Sequence, residues 1–306
     1  MGKVAVVFPG QASQYVGMGK DFYESDVEVR RLYEIASDEI GEDIARLSFD
    51  GPGDTLTRTR FTQPAILLHS LAVLTVLKDR LPQADLTAGH SLGEYGSLAL
   101  AGVIDFESAI KAVIRRASLM EEACRKNDGT MAAIMGLDEE KTADACREAS
   151  AKGVVVPANF NSEIQIVISG ENSGVEEACR LCKEKGAKKT IPLNVGGAFH
   201  SPLMESACDG MKDYLEKVEY QVPRIDIVTN VTGEVERDPE VLKSLQVKQL
   251  TAPVRWYHTL QYFGQNGIDT VIEIGPGKVL VGLAKRELKS ARLINLDTLK
   301  DLEELT

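Results

Sequence analysis

The segment Thr87-Ala88-Gly89-His90-Ser91-Leu92-Gly93-Glu94-Tyr95 constrains this chain more than any other. It sets the pattern G-x-S-x-G between a short apolar run, Leu86 to Ala88, and a helix-like stretch, Leu92 to Ala101. In that setting a serine occupies a sharp strand-to-helix turn with its hydroxyl exposed, as a nucleophile elbow requires. The turn brings backbone too close for β-carbons at Gly89 and Gly93. The residue after the serine, Leu92, can then aim its N–H at a developing oxyanion. The competing reading is a tight turn carrying an ordinary exposed serine.

The rest of the chain reads as an α/β protein with an insertion. Val4 to Phe8 forms a buried strand and leads into a glycine-rich loop, Pro9 to Gly19. Helical periodicity follows at 26–40, 64–80, 92–101 and 105–125, with Thr62 and Asp105 as expected caps. From Thr130 the rhythm becomes strand 130–135, helix 138–150, strands 154–159 and 164–169, helix 172–185 and strand 188–193. That order is the βαββαβ ferredoxin-like unit, with Asn159-Phe160-Asn161-Ser162 as the connection between its middle strands. Alternation then resumes: helix 202–217, strand 225–229, helices 239–249 and 254–266, strand 270–274, helix 278–288 and a last strand, Arg292 to Leu296. The expected architecture is a hydrolase-like domain with a mainly parallel sheet, residues 1–126 and 196–306, interrupted by a ferredoxin-like subdomain, residues 127–195.

Composition narrows the classes. With 306 residues, 43% of them hydrophobic, the chain can bury a large core. A net charge of -11 and the lack of a basic stripe argue against nucleic acid. The clusters Arg30-Arg31, Arg115-Arg116 and Lys183 to Lys189 read as solvated helix faces. The longest apolar stretch, Pro64 to Leu77, is short for a bilayer and reads as a buried helix, so no membrane is expected. No leader pattern precedes the first strand. Five scattered cysteines, Cys179 and Cys182 among them as an isolated C-x-x-C in a lysine-rich helix, suggest reduced thiols and a cytoplasmic protein without a metal site.

A serine nucleophile needs a base, and there are four histidines. His69 lies in the apolar helix as a packing residue, and His90 adjoins the serine, where neighbours on an elbow point apart. His258 sits in a helix beside Trp256 without a polar signature. His200, in the turn Gly196-Gly197-Ala198-Phe199-His200-Ser201-Pro202, lies where the chain re-enters the main domain. It is the first candidate, with the others open on residue chemistry alone. The loop Phe8 to Gly19 fails as a dinucleotide fingerprint because Ala12 replaces the second glycine. It fits as the second donor of an oxyanion hole.

Gly10-Gln11-Ala12-Ser13-Gln14, the elbow, Arg116-Ala117-Ser118-Leu119-Met120 and Ala198-Phe199-His200-Ser201 together resemble the ordered motifs of the malonyl-CoA:acyl carrier protein transacylases. Gln249-Leu250 with Pro253-Val254-Arg255-Trp256, and Glu273-Ile274-Gly275-Pro276-Gly277, complete the set over essentially the whole chain. Ala12 departs from the pattern, since a glycine is common there in the family.

The resemblance implies that Ser91 is the nucleophile and His200 its base, oriented by a backbone carbonyl near Gln249 in place of a carboxylate. It implies an oxyanion hole from the N–H groups of Gln11 and Leu92, and substrate binding by Arg116, Gln249 and Phe199. A planar guanidinium matches a carboxylate fork as a lysine cannot, so Arg116 would hold the malonyl carboxylate. Phe199 resembles the pattern of malonyl-selective members, whereas methylmalonyl-selective ones tend to carry serine. The implied partners are malonyl-CoA and an acidic acyl carrier protein, docked through a local basic patch. A monomer without cofactor is the expected form. The rival readings are an esterase or thioesterase using the same serine and histidine, and a non-catalytic carrier-binding scaffold. Fatty-acid and polyketide synthesis both use this transfer, and the sequence does not choose between them.

Overall fold

The computed structural model describes residues 2–305, apart from the side chains of Asp79 and Glu304. Met1 and Thr306, the outer limits of the expected discontinuous domain, lie outside the described residues. Among the described residues ten strands form two sheets: β1 Lys3–Phe8, β2 Leu86–Gly89, β3 Thr130–Met135, β4 Val155–Ser162, β5 Gln165–Gly170, β6 Lys189–Pro192, β7 Asp226–Val228, β8 Val235–Glu236, β9 Ile268–Ile274 and β10 Arg292–Leu296. The larger sheet has the order β10-β9-β1-β2-β7-β8, parallel except for β8. The smaller is antiparallel, β4-β5-β3-β6, the order of a ferredoxin-like unit.

Alternation along the strands explains where each core sits. On β1, Val6 and Phe8 enter one hydrophobic cluster, and Ala5 and Val7 enter another on the opposite face. A central strand buried on both faces must read as a continuous apolar run, as Val4 to Phe8 does. On β3, Ala132 and Ile134 pack under the helices Glu139–Ala149 and Asn172–Glu184, while Met131 and Ala133 join the main core. The smaller sheet therefore contributes to the core of the larger unit. Its β4 is also tied to it through main-chain bonds: Phe160 N donates to Val254 O at 2.9 Å and Val254 N to Ala158 O at 2.8 Å.

Several boundaries differ from the sequence-based expectation. The apolar helix spans Thr59–Leu77, with Arg58 as its N-cap, so Thr62 is not a cap and Pro64 lies inside. Near a helix start a proline removes only one ladder bond, and the buried spacing Phe61, Ala65, Leu68, Ala72 carries the helical face across it. The helix is long and apolar enough to cross a membrane, yet 78% of its apolar window is buried inside the molecule. Asp105 does cap its helix, accepting from Ser108 N at 2.6 Å.

Asn159 to Ser162 is strand and not connection; the turn is Glu163-Ile164. Register shifts in β4 accommodate these residues, and the Asn161 amide is occupied by His90 Nε2 at 2.9 Å. The short helices Lys20–Ser25, Ile44–Asp50 and Gly53–Leu56, and strand β8, were not expected. Each is too brief to show a period.

Candidate active site

The elbow is built by two glycines, Gly89 at the C-terminal end of β2 and Gly93 in the turn after it, beside the end of β1, where Phe8 and Gly89 are register partners. A β-carbon on Gly89 would lie 2.0 Å from the carbonyl of Gly93, and one on Gly93 would lie 2.2 Å from Phe8 O. These contacts clamp the turn onto the start of the loop that carries Gln11. They hold Ser91 at φ +54°, in the left-handed region that a non-glycine residue enters at a cost of about 1–2 kcal/mol. Leu92 follows in a single 3-10 turn, Ser91–Gly93, that opens the helix Glu94–Leu100. Its N–H is among the first-turn donors for which helical geometry supplies no acceptor.

Ser91 Oγ meets two side chains. His200 Nε2 lies 2.8 Å away, and Arg116 Nη2 donates to the same oxygen at 3.0 Å. His200 Nδ1 lies 2.8 Å from the main-chain carbonyl of Gln249. A carbonyl can only accept, so Nδ1 carries the proton and Nε2 presents its lone pair to the serine. Burial, followed by the nearby Arg116 charge, lowers the imidazole pKa to about 3 and keeps the ring neutral. His200 stands at φ +56° just before Ser201, which caps the Pro202–Met204 turn through Leu203 N.

Arg116 is fully buried on the helix Phe106–Lys126. Beyond Ser91, its guanidinium donates to Gln63 Oε1 at 2.6 Å and Gln249 Oε1 at 2.9 Å, and Nε has no partner. Among the described residues no carboxylate lies within ion-pairing distance of it. A desolvated cation held by neutral oxygens, facing the serine, is a site for an anionic group. Gln11 approaches the same cluster, its Oε1 accepting from Gln63 Nε2 at 3.4 Å. Phe199 is buried beside His200 and makes no hydrogen bond to this network.

The structure thus brings Ser91, His200, Arg116 and Gln249 into direct contact and sets the Gln11 loop against the elbow. The other histidines lie apart from this contact. His69 Nε2 contacts the Asp297 carbonyl at 2.9 Å, and His90 is held by Asn161 beside Trp256. His258 is less apolar in its surroundings than expected, with Glu139 3.7 Å away.

Four further polar residues complete the network. Gln63 grips Arg116; Asn230 Oδ1 accepts from Ser91 N at 2.7 Å while its Nδ2 donates to Gly89 O at 2.6 Å. Glu94 and Gln246 lie beneath, both fully buried. A visible signal existed only for Glu94, a charged residue inside the elbow motif. Gln63, Asn230 and Gln246 sit in ordinary contexts and are selected by three-dimensional proximity alone.

A family model, the acyl transferase domain, matches residues 5–301. The chain belongs to the acyl transferase domain family. Among acyl transferase relatives, the malonyl CoA-acyl carrier protein transacylase of Haemophilus influenzae is 42% identical over 299 residues, covering 97% of this chain and 96% of that one. The crystal structure of an acyl carrier protein S-malonyltransferase from Vibrio cholerae superposes with a TM-score of 0.94 at 42% identity, covering 99% of this chain and all of that one. A malonyl-transacylase solved with a type II PKS acyl-carrier protein gives 0.94 at 40% identity, covering 99% and 98% of the two chains.

Proposed function

We propose that this acyl transferase moves a malonyl group from malonyl-CoA to the phosphopantetheine thiol of acyl carrier protein, through a malonyl ester on Ser91. The observation that carries the reading is Ser91 Oγ held at once by the neutral His200 imidazole and by a buried Arg116 with no carboxylate within ion-pairing distance among the described residues. In the first half-reaction His200 Nε2 takes the Ser91 proton as Oγ attacks the thioester carbonyl. The oxyanion forms against the N–H groups of Gln11 and Leu92, one such donor being worth about 3–4 kcal/mol. The C–S bond breaks, His200 returns its proton to coenzyme A thiolate, and the malonyl ester remains. The carrier thiol then gives its proton to His200, attacks the ester, and Ser91 recovers the proton.

Arg116 supplies the selectivity. Malonyl carboxylate would pair with the guanidinium, whereas a neutral acyl group would leave it desolvated and unpaired, at a cost of roughly 3–5 kcal/mol. Phe199, buried and next to His200 in the chain, would bear on larger acyl groups, with one methyl worth about 1–3 kcal/mol. A thioesterase has no use for such a cation, which disfavours that alternative. The relative solved with a carrier protein supports the second substrate. We assign the catalytic domain to 1–126 and 196–306, the ferredoxin-like subdomain to 127–195, and the protein to the cytoplasm as a monomer.

Intact-protein mass spectrometry after brief mixing with malonyl-CoA or acetyl-CoA tests the reading. A malonyl adduct is expected on the wild type, absent from Ser91→Ala and weak with acetyl-CoA. Arg116→Ala is expected to lose the malonyl preference by about 100-fold or more, the counterpart of about 3 kcal/mol. Thioester hydrolysis without an adduct would replace the transferase reading by the thioesterase.

A further inference from the structure

Glu94 is a fully buried carboxyl at the first position of the helix after the elbow, and the mechanism above does not use it. Every group that touches it is a donor. Oε2 accepts from Asn230 N at 2.8 Å and from Gln249 Nε2 at 3.1 Å, and Oε1 accepts from Gln246 Nε2. The consequence falls on Gln249, whose amide has a donor end and an acceptor end. With Nε2 held by Glu94 and by Ser91 O at 3.1 Å, Oε1 is left to face Arg116 Nη2 at 2.9 Å. Turned over, the amide would set oxygen against Glu94 Oε2 and nitrogen against the guanidinium, acceptor on acceptor and donor on donor.

We propose that Glu94 is a positioning residue for substrate selection: its Oε2 fixes the Gln249 amide so that an oxygen holds Arg116 in line with the acyl group on Ser91. The same oxygen secures Asn230 N, and Asn230 Oδ1 in turn anchors the Ser91 N–H. The elbow and the carboxylate-binding arginine are thereby set by one acceptor atom. The role needs an acceptor at Oε2 and not a charge. If Glu94 takes up a proton, Oε1 can carry it, because Gln246 has a buried Oε1 without a partner that a turn of its amide would present. Oε2 then still accepts from Gln249 and Asn230.

This inference rests on the malonyl-transfer reading, and wild-type loading by malonyl-CoA is measured first so that the two fail separately. Loading kinetics of Glu94→Leu and Glu94→Gln are then compared with malonyl-CoA and acetyl-CoA. The leucine variant removes the acceptor at similar volume; its malonyl preference is expected to fall at least tenfold, mainly through a raised KM for malonyl-CoA. The glutamine variant offers an amide oxygen at the same place and should stay within about threefold of the wild-type preference. An unchanged preference in Glu94→Leu, or an equal loss in Glu94→Gln, overturns the proposal. Should the leucine variant not fold, Glu94→Asp withdraws the acceptor from Gln249 by one methylene. A lowered preference in that variant supports the positioning role, and a preference equal to wild type overturns it.

Discussion

Three residues other than glycine at or beside the site occupy the left-handed backbone region: Ala12 at φ +78°, Ser91 at +54° and His200 at +56°. For Ser91 and His200 the strained conformation has a use, since the two side chains meet at 2.8 Å. Ala12 has no such use for its methyl group. Its N–H donates to Gln14 Oε1 at 2.9 Å, within the loop that carries Gln11. The glycine that is common in the family at this position would meet the same geometry without the Cβ clash, at some cost in unfolded-chain entropy. Ala12→Gly is therefore expected to stabilise the protein by about 0.5–1 kcal/mol. An unfolding midpoint in urea that drops on this substitution would contradict the reading. At this scale the reactive residues were legible because Ser91 and His200 sit in glycine-rich turns. Arg116 stood out only through the resemblance, being otherwise one more charge on a long helix.

The strand–turn–helix unit around Ser91 shows how an element makes a site. Gly93 touches backbone and not a movable side chain, because the atoms a β-carbon would meet are Phe8 O at 2.2 Å and Pro9 O at 2.7 Å. Gly93→Ala should force the elbow away from the β1 loop, cost at least about 3 kcal/mol, and abolish Ser91 loading. Retained loading with an unchanged melting temperature would show that the clamp is dispensable. The helix Thr59–Leu77 illustrates what was less legible. Thr62 and Pro64 suggested a start near Pro64, whereas the helix begins at Thr59, with Phe61 buried, and thereby brings Gln63 onto Arg116. The five added residues matter because Gln63 is one of them.

Across the whole molecule, the larger sheet supplies Ser91 and the smaller one holds its surroundings. β4 pairs with the main chain at Val254, and Asn161 on that strand fixes His90 beside the nucleophile. Burying so many polar groups leaves a thermodynamic signature. Burial raises the Glu94 carboxyl to about 7 from an ordinary value of 4.5. Between those values the folded state keeps a proton that the unfolded chain releases. The contribution is thus fully present below pH 4.5 and is lost as pH rises through 7. The stability of the wild type relative to Glu94→Gln should accordingly fall between pH 4.5 and 7, by an amount on the order of 3 kcal/mol. Urea unfolding of both proteins at pH 5 and pH 7.5 measures it, and a difference independent of pH would contradict the assignment.

The amino-acid sequence by itself determined the strand–elbow–helix unit, the order of elements along the chain apart from β8 and the three short helices, and the candidates Ser91, His200 and Arg116. These features are local, or they are carried by periodicity and by ordered motifs. Only the tertiary structure decided that Gln63, Glu94, Asn230, Gln246 and Gln249, far apart along the chain, share one buried network. It also decided that, among the described residues, no carboxylate lies within ion-pairing distance of Arg116. Hydrogen bonding between buried groups depends on distance and on which atoms donate, and neither is encoded in the spacing of residues along the chain.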